Sequence, residues 1–220
     1  DSSLLIDKAY VAGEWVPADS GTCFEVRNPS GGALVSTVPD LGLAETQRAI
    51  SAAAQAQKQW AAATGNERAA VLRCWHDLVL ANADDLAVIL CAEMGKPLAE
   101  ARGEITYGAA YIEWFAEEAK RVYGDTIPGH QADKRIVVLR QPVGVVASIT
   151  PWNFPNAMIA RKVAPALAAG CAFVAKPAEQ TPLSALAMAL LGERAGIPKG
   201  LFSVLTTADA PAMGREFCNN

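Results

Sequence analysis

Two short stretches carry side chains with chemistry to offer. Pro151-Trp152-Asn153-Phe154-Pro155 directly follows an apolar run from Val143 to Ile149 and directly precedes a helix-like segment. The prolines stop the strand and forbid ladder pairing. Asn153 is therefore presented at a strand's carboxyl end, where open α/β sheets bind ligands, with two N–H donors and a carbonyl. A rigid turn in which Asn153 caps the next helix explains the same residues. The second stretch, Lys176-Pro177-Ala178-Glu179, ends another apolar run. Lys176 supplies an ammonium, and Glu179 a carboxylate able to accept both hydroxyls of a ribose. A surface ion pair explains these two equally well. No GxGxxG follows the first strand, so the usual dinucleotide fingerprint is absent.

Other chemistries find little support. The five cysteines, Cys23, Cys74, Cys91, Cys171 and Cys218, are scattered without a CxxC pair, as suits reduced thiols in a cytoplasm. His76 and His130 lie far from any partner at metal-ligand spacing, so no metal site is expected, and His76 reads as a helix-surface or half-buried residue. A net charge of -4 without a long basic cluster argues against nucleic acid and anionic membranes as partners. No apolar run reaches the roughly 18 residues of a membrane span, and no signal peptide is visible, so a cytoplasmic protein is expected.

The elements that must position these residues fall into three blocks across 220 residues, of which 51% are hydrophobic. Residues 1–123 open with short extended runs punctuated by Gly13, Pro17, Gly21 and Pro29, read as small antiparallel strands. Helices follow. Leu43, Ile50, Ala54 and Trp60 fit one apolar face, Thr64 and Glu67 have capping-box spacing, and Asn82 caps a third helix closed by Gly95 and Pro97. A fourth runs from Leu98 to about Val122, with Tyr111, Trp114 and Phe115 read as core packing. Residues 124–141 contain an alternating strand, Arg135 to Leu139, whose edge another chain can extend. Residues 142–220 alternate strand and helix. Val143 to Thr150 is expected as a strand covered on both faces, then a helix to Ala169 ended by Gly170, and a strand from Cys171 to Ala175. Thr181 is expected to cap the next helix, before a third strand from Phe202 to Thr206. This is one βαβαβ half of a doubly wound sheet.

PWNFP at 151–155, AGC at 169–171, KPAEQTP at 176–182 and AGIPKG at 195–200 together resemble the aldehyde dehydrogenase superfamily, and within it the succinate-semialdehyde dehydrogenases. Val11-Ala12-Gly13-Glu14-Trp15, Asn28-Pro29 and Glu93-Met94-Gly95-Lys96-Pro97 stand where that family has its N-terminal hairpin and helical landmarks, so the resemblance covers essentially the whole chain. It implies an α/β fold with a partial doubly wound, Rossmann-like parallel sheet, an N-terminal hairpin and a helical layer. Residues 1–123 become the N-terminal part of a cofactor-binding domain, 124–141 an oligomerisation arm that makes a homo-oligomer, and 142–220 half of the dinucleotide-binding sheet.

The resemblance also assigns roles. Asn153 is implied as the oxyanion donor, and Ile149, Thr150, Pro151 and Trp152 as the lining of a dinucleotide site. Lys176 and Glu179, with Ala178 between them, are implied to hold the adenosine ribose. NAD is the expected cofactor, because Glu179 repels a 2′-phosphate; NADP is the alternative, because Lys176 attracts one. Arg161 is implied to face the substrate tunnel and bind a distal carboxylate bidentately, although Arg161-Lys162 also reads as a solvated pair. Phe154 and Met158 form tunnel wall or pack against the sheet. The family's GQxCxxxxR-like nucleophile segment, ELGG-like base segment and FTGS-like turn do not occur here. The expectation is thus a parent enzyme oxidising an aldehyde, succinate semialdehyde in particular, with these residues inert alone. A noncatalytic truncated paralogue that assembles through the arm is the alternative.

Overall fold

The structure, a computed structural model, describes residues 1–220. Its N-terminal strands are two hairpins: β1 (Ala9–Val11) with β2 (Glu14–Val16), and β3 (Cys23–Arg27) with β4 (Leu34–Pro39). Gly13 at the first turn has φ +86, and a Cβ there would meet Lys199 at 2.6 Å, so the close approach requires glycine. Four helices follow: α1 (Leu43–Ala62), α2 (Gly65–Ala81), α3 (Ala83–Met94) and α4 (Leu98–Glu118). The capping box at α2 is formed, with Glu67 N–H donating to Thr64 Oγ1 at 3.2 Å and Thr64 N–H to Glu67 Oε2 at 2.6 Å. Asn82 makes no side-chain cap; its Nδ2 instead donates back to the Leu78 carbonyl at 2.8 Å, serving the end of α2 rather than the start of α3.

After the hairpin β5 (Asp125–Pro128) and β6 (Arg135–Val138) come β7 (Val145–Ile149), α5 (Ala157–Ala168), β8 (Ala172–Lys176), α6 (Leu183–Arg194), β9 (Phe202–Val204) and α7 (Ala210–Asn219). The main sheet has the order β2-β1-β9-β8-β7, with β7, β8 and β9 parallel and β1 antiparallel to β9 through Tyr10 and Val204. Gly170, in the left-handed region at φ +90, follows α5 as expected.

Several sequence expectations shift. β8 is buried throughout, but β7 is an end strand flanked only by β8, with Ile149 half exposed and Val143, outside the strand, 86% exposed. On α1 the inward residues are Glu45, Thr46, Ala49, Ala53 and Trp60, whereas Leu43 and Ala54 face solvent. His76 is buried, its Nδ1 2.8 Å from Asp77 Oδ1. Of the α4 aromatics only Phe115 packs against the core, and Tyr111 is half-buried outside it. Trp114 is 65% exposed, and the buried face is Ala101, Glu104, Ile105, Gly108, Ala109, Ile112 and Ala116. Small residues win that face because α5 lies close: a Cβ on Gly108 would meet Asn156 Oδ1 at 2.5 Å.

Bulky side chains fill the layer between helices and sheet. Trp75, Phe173 and Phe202 are buried in contact, and the Trp75 and Trp60 indoles donate to the Met188 and Leu167 carbonyls. The β5–β6 hairpin pairs only with itself and every residue of both strands is exposed.

Candidate cofactor and oxyanion site

The carboxyl ends of β7 and β8 lie side by side, with Ile149 paired to Lys176 in register. Thr150 continues the ladder by one bond, its N–H donating to the Lys176 carbonyl at 3.0 Å, and Pro151 ends it. Both candidate stretches therefore emerge on the same rim of the sheet. Lys176 is 1% exposed, and its Nζ donates to Glu179 Oε2 at 2.9 Å. This is no surface ion pair. Burial pushes the Glu179 carboxyl up, but the hydrogen bond from Lys176, a backbone N–H and the nearby ammonium outweigh it and hold the acid below its usual range. Ala178 is buried beside them, and Glu179 keeps an exposed side.

Asn153 is half-buried in the turn before α5. Its Oδ1 is buried with no hydrogen-bond partner, and its Nδ2 donates to nothing in the chain. It does not cap α5. That task falls to Glu104 of α4, whose Oε1 accepts from Asn156 N–H at 2.9 Å and Ala157 N–H at 3.1 Å. Its Oε2 accepts from Lys96 at 2.6 Å, and Lys96 also donates to the Asn153 carbonyl at 3.1 Å while standing 4.1 Å from the centre of the Phe154 ring. Thr181 likewise does not cap α6. Pro182 takes the cap position before Leu183, the Thr181 hydroxyl is buried without a partner, and Glu93 of α3 supplies the acceptors instead.

Arg161 is exposed on α5, has no carboxylate partner, and lies with its Cζ 5.4 Å from the centre of the Tyr111 ring. Tyr111 Oη is 2.5 Å from Tyr107 Oη, and these two rings with Ala110, Trp114 and Phe115 line a shallow apolar pocket of about 370 Å³. Met158 is half-buried, and Lys162, bonded to the Met158 carbonyl, has its ammonium pushed down by burial and then by Arg161. A cation without an anion thus stands beside an apolar wall.

Glu93, Lys96 and Glu104 are the residues that sequence reasoning missed as contributors to this region. One signal was present: Glu104 interrupts an inward stripe of Ala101, Ile105, Gly108 and Ile112. No cluster of three or more His, Cys, Asp or Glu side chains suits a metal, and no helix is long and apolar enough to cross a membrane.

The profile of the aldehyde dehydrogenase family matches residues 15–220. The chain belongs to the aldehyde dehydrogenase family. A glutarate-semialdehyde dehydrogenase of Pseudomonas aeruginosa is 60% identical over all 220 residues, which cover 45% of that protein. A 3-sulfolactaldehyde dehydrogenase of Pseudomonas putida is 59% identical over 206 residues, 94% of this chain and 42% of the relative. The crystal structure of a succinate-semialdehyde dehydrogenase from Burkholderia pseudomallei superposes with a TM-score of 0.98 at 62% identity, covering the whole chain and 45% of its counterpart. The chain thus spans about half the length of the relatives it matches or a little less, and its fold is that of an aldehyde dehydrogenase over this span.

Proposed function

We propose that these residues form the dinucleotide-binding and oxyanion-stabilising part of an NAD(P)-dependent enzyme that oxidises aldehydes carrying a distal anionic group, succinate semialdehyde first among them. The observation that carries the reading is Asn153: a polar side chain at the sheet's carboxyl rim with no hydrogen bond to its own protein. Its Nδ2 donates to the aldehyde oxygen as charge develops there. Preorganised donors of this kind each account for roughly 10²- to 10³-fold in rate.

Arg161 holds the far end of the substrate. An exposed guanidinium with no carboxylate suits a bidentate anion, and the pocket lined by Tyr107 and Tyr111 suits the short aliphatic spacer. The substrates named for the relatives, glutarate semialdehyde, succinate semialdehyde and 3-sulfolactaldehyde, share an aldehyde and an acid group, which supports the class. Phe154 and Met158 line the approach between Arg161 and Asn153.

The cofactor, when bound, accepts the hydride. The residues present fit it: Ile149 and Trp152 leave apolar surface open at the rim beside Thr150 and Pro151, and Glu179 offers a partly exposed carboxylate to ribose hydroxyls while Lys176 fixes it from beneath. Because Lys176 is buried beneath Glu179, the carboxylate is the member of the pair that reaches the surface and meets a 2′ substituent first, which supports NAD over NADP.

None of the cysteines has a base within bonding distance; Cys171 is buried, and the only hydrogen bond from the others runs from Cys23 to a main-chain carbonyl. The thiol nucleophile and its base have to come from residues other than these. Residues 1–123 and 142–220 act as a cofactor-binding unit, and 124–141 as an arm joining copies of the enzyme in the cytoplasm.

The test is calorimetric titration of the chain with NAD and NADP, together with steady-state assays of the full-length protein on succinate semialdehyde, glutarate semialdehyde and butanal. Micromolar dinucleotide binding and a kcat/KM preference for the acidic aldehydes are expected. Absence of both dinucleotide binding and aldehyde-dependent cofactor reduction would overturn the reading.

A further inference from the structure

We propose that Lys96, with Glu104, is a positioning residue for Asn153, holding the turn that aims its amide; the inference rests on the role of Asn153 given above. The two side chains are 9% and 1% exposed, so the ion pair is buried. Buried pairs add little net stability, since well-packed apolar residues serve as well or better. What this one does is fix a turn at four points between Asn153 and Ala157. Lys96 Nζ donates to the carbonyl of Asn153 at 3.1 Å and lies 4.1 Å from the centre of the Phe154 ring. Glu104 Oε1 accepts the N–H groups of Asn156 and Ala157 at 2.9 and 3.1 Å, while its Oε2 receives Lys96 at 2.6 Å.

No hydrogen bond within the chain orients the Asn153 side chain, whose Oδ1 is buried and unbonded. Its aim is therefore set by the backbone that carries it. The clamp itself is rigidly seated. Gly95 holds φ +87 with its α-carbon against Pro29, where a Cβ would come within 2.7 Å of Cγ, and Pro97 at φ -57 opens α4. Lys96 between them has little freedom to swing away, and Glu104 approaches from the second turn of the same helix.

An oxyanion donor displaced by a fraction of an ångström stabilises the transition state less while leaving cofactor and substrate binding intact. In the full-length enzyme, Lys96→Met/Glu104→Gln removes both charges together, so no lone buried charge burdens the fold. Glutamine keeps an acceptor for Asn156 and Ala157. This variant is expected to melt cooperatively, to keep NAD affinity and the aldehyde KM within a few-fold, and to lose roughly 10- to 100-fold in kcat. Lys96→Arg, which retains charge and donors, is expected to recover part of that loss. The deciding measurement is the cycle with Asn153→Ala: adding the double change to that variant should cost little further, because both act through the same amide. A folded Lys96→Met/Glu104→Gln enzyme with undiminished kcat, or losses that multiply fully with Asn153→Ala, would overturn the proposal. Unfolding of every Lys96 variant would overturn it too, making the pair structural. If the unaltered enzyme turns over but Asn153→Ala does so at full rate, the role given to Asn153 fails and the clamp with it.

Discussion

Glu93 caps α6 from another layer of the molecule: its Oε1 accepts the main-chain N–H of Ser184 at 2.8 Å and the Ser184 hydroxyl at 2.5 Å, and its Oε2 accepts Leu183 N–H at 2.7 Å. Glu104 does the same for α5. Two of the three helices that follow parallel strands in this sheet, α5 and α6, thus have their free N–H groups met by acids from the helical layer, with the favourable sign for a helix N-terminus.

Replacing Glu93 with alanine would leave two amides and a hydroxyl buried without acceptors. A loss of about 3 kcal/mol in unfolding free energy is expected, read from urea denaturation. Burial, working against the donors from Ser184 and Leu183, pushes the Glu93 carboxyl up from 4.5 to about 7. The folded state therefore binds the extra proton between these values, and the stability this provides, full below about pH 4.5, is lost as pH rises through 7. In Glu93→Gln that part of the pH dependence should vanish.

Arg161 is exposed and has no ion-pair partner, so Arg161→Met should leave unfolding free energy within about 0.5 kcal/mol of the parent. For the full-length enzyme the same change should raise KM for acidic aldehydes by roughly 10- to 100-fold, the worth of a charge-assisted hydrogen-bonded contact, with KM for butanal unaltered. Equal effects on both aldehydes would remove Arg161 from substrate recognition.

At the proposed ribose site, Glu179→Gln removes the carboxylate charge assigned to the 2′ position and frees the Lys176 ammonium beneath it. Competitive titration should find the NADP to NAD affinity ratio raised about 10-fold. A ratio that stays constant would place the 2′ position away from Glu179.

The exposed hairpin allows a test of assembly. Val137, 63% exposed on β6, bears no load within the chain. Val137→Lys together with Ile127→Asp is expected to leave the melting temperature of the isolated chain unchanged and to lower the mass of the full-length protein in light scattering. Undiminished mass would exclude this arm from the interface.

The local grammar of the chain was legible: the hairpins, the Thr64–Glu67 capping box, the αL glycines at 95 and 170, and the strand and helix alternation after residue 142 all depend on neighbours within a few residues. So was the rim placement of Asn153 and Lys176, which follows from two strands ending in proline-bearing turns. Less legible were faces and partners. Trp114 and Tyr111 at helical spacing look like core, yet Gly108 and Ala109 take the buried side because α5 must approach closely. Periodicity reports that a helix has two faces, and only packing decides which one is covered.

By itself, then, the sequence determined which polar side chains stand at the sheet's carboxyl rim, since PWNFP and KPAEQTP place an amide, an ammonium and an acid at strand ends through short-range geometry. Only the tertiary structure decided what holds them. Asn82 and Thr181 had the right types for caps and do not cap, whereas Glu93 and Glu104, distant in sequence, do. A buried carboxylate finds whichever N–H groups are brought within about 3 Å of it, and that proximity arises when α3 packs on α6 and α4 on α5, contacts that no local pattern encodes.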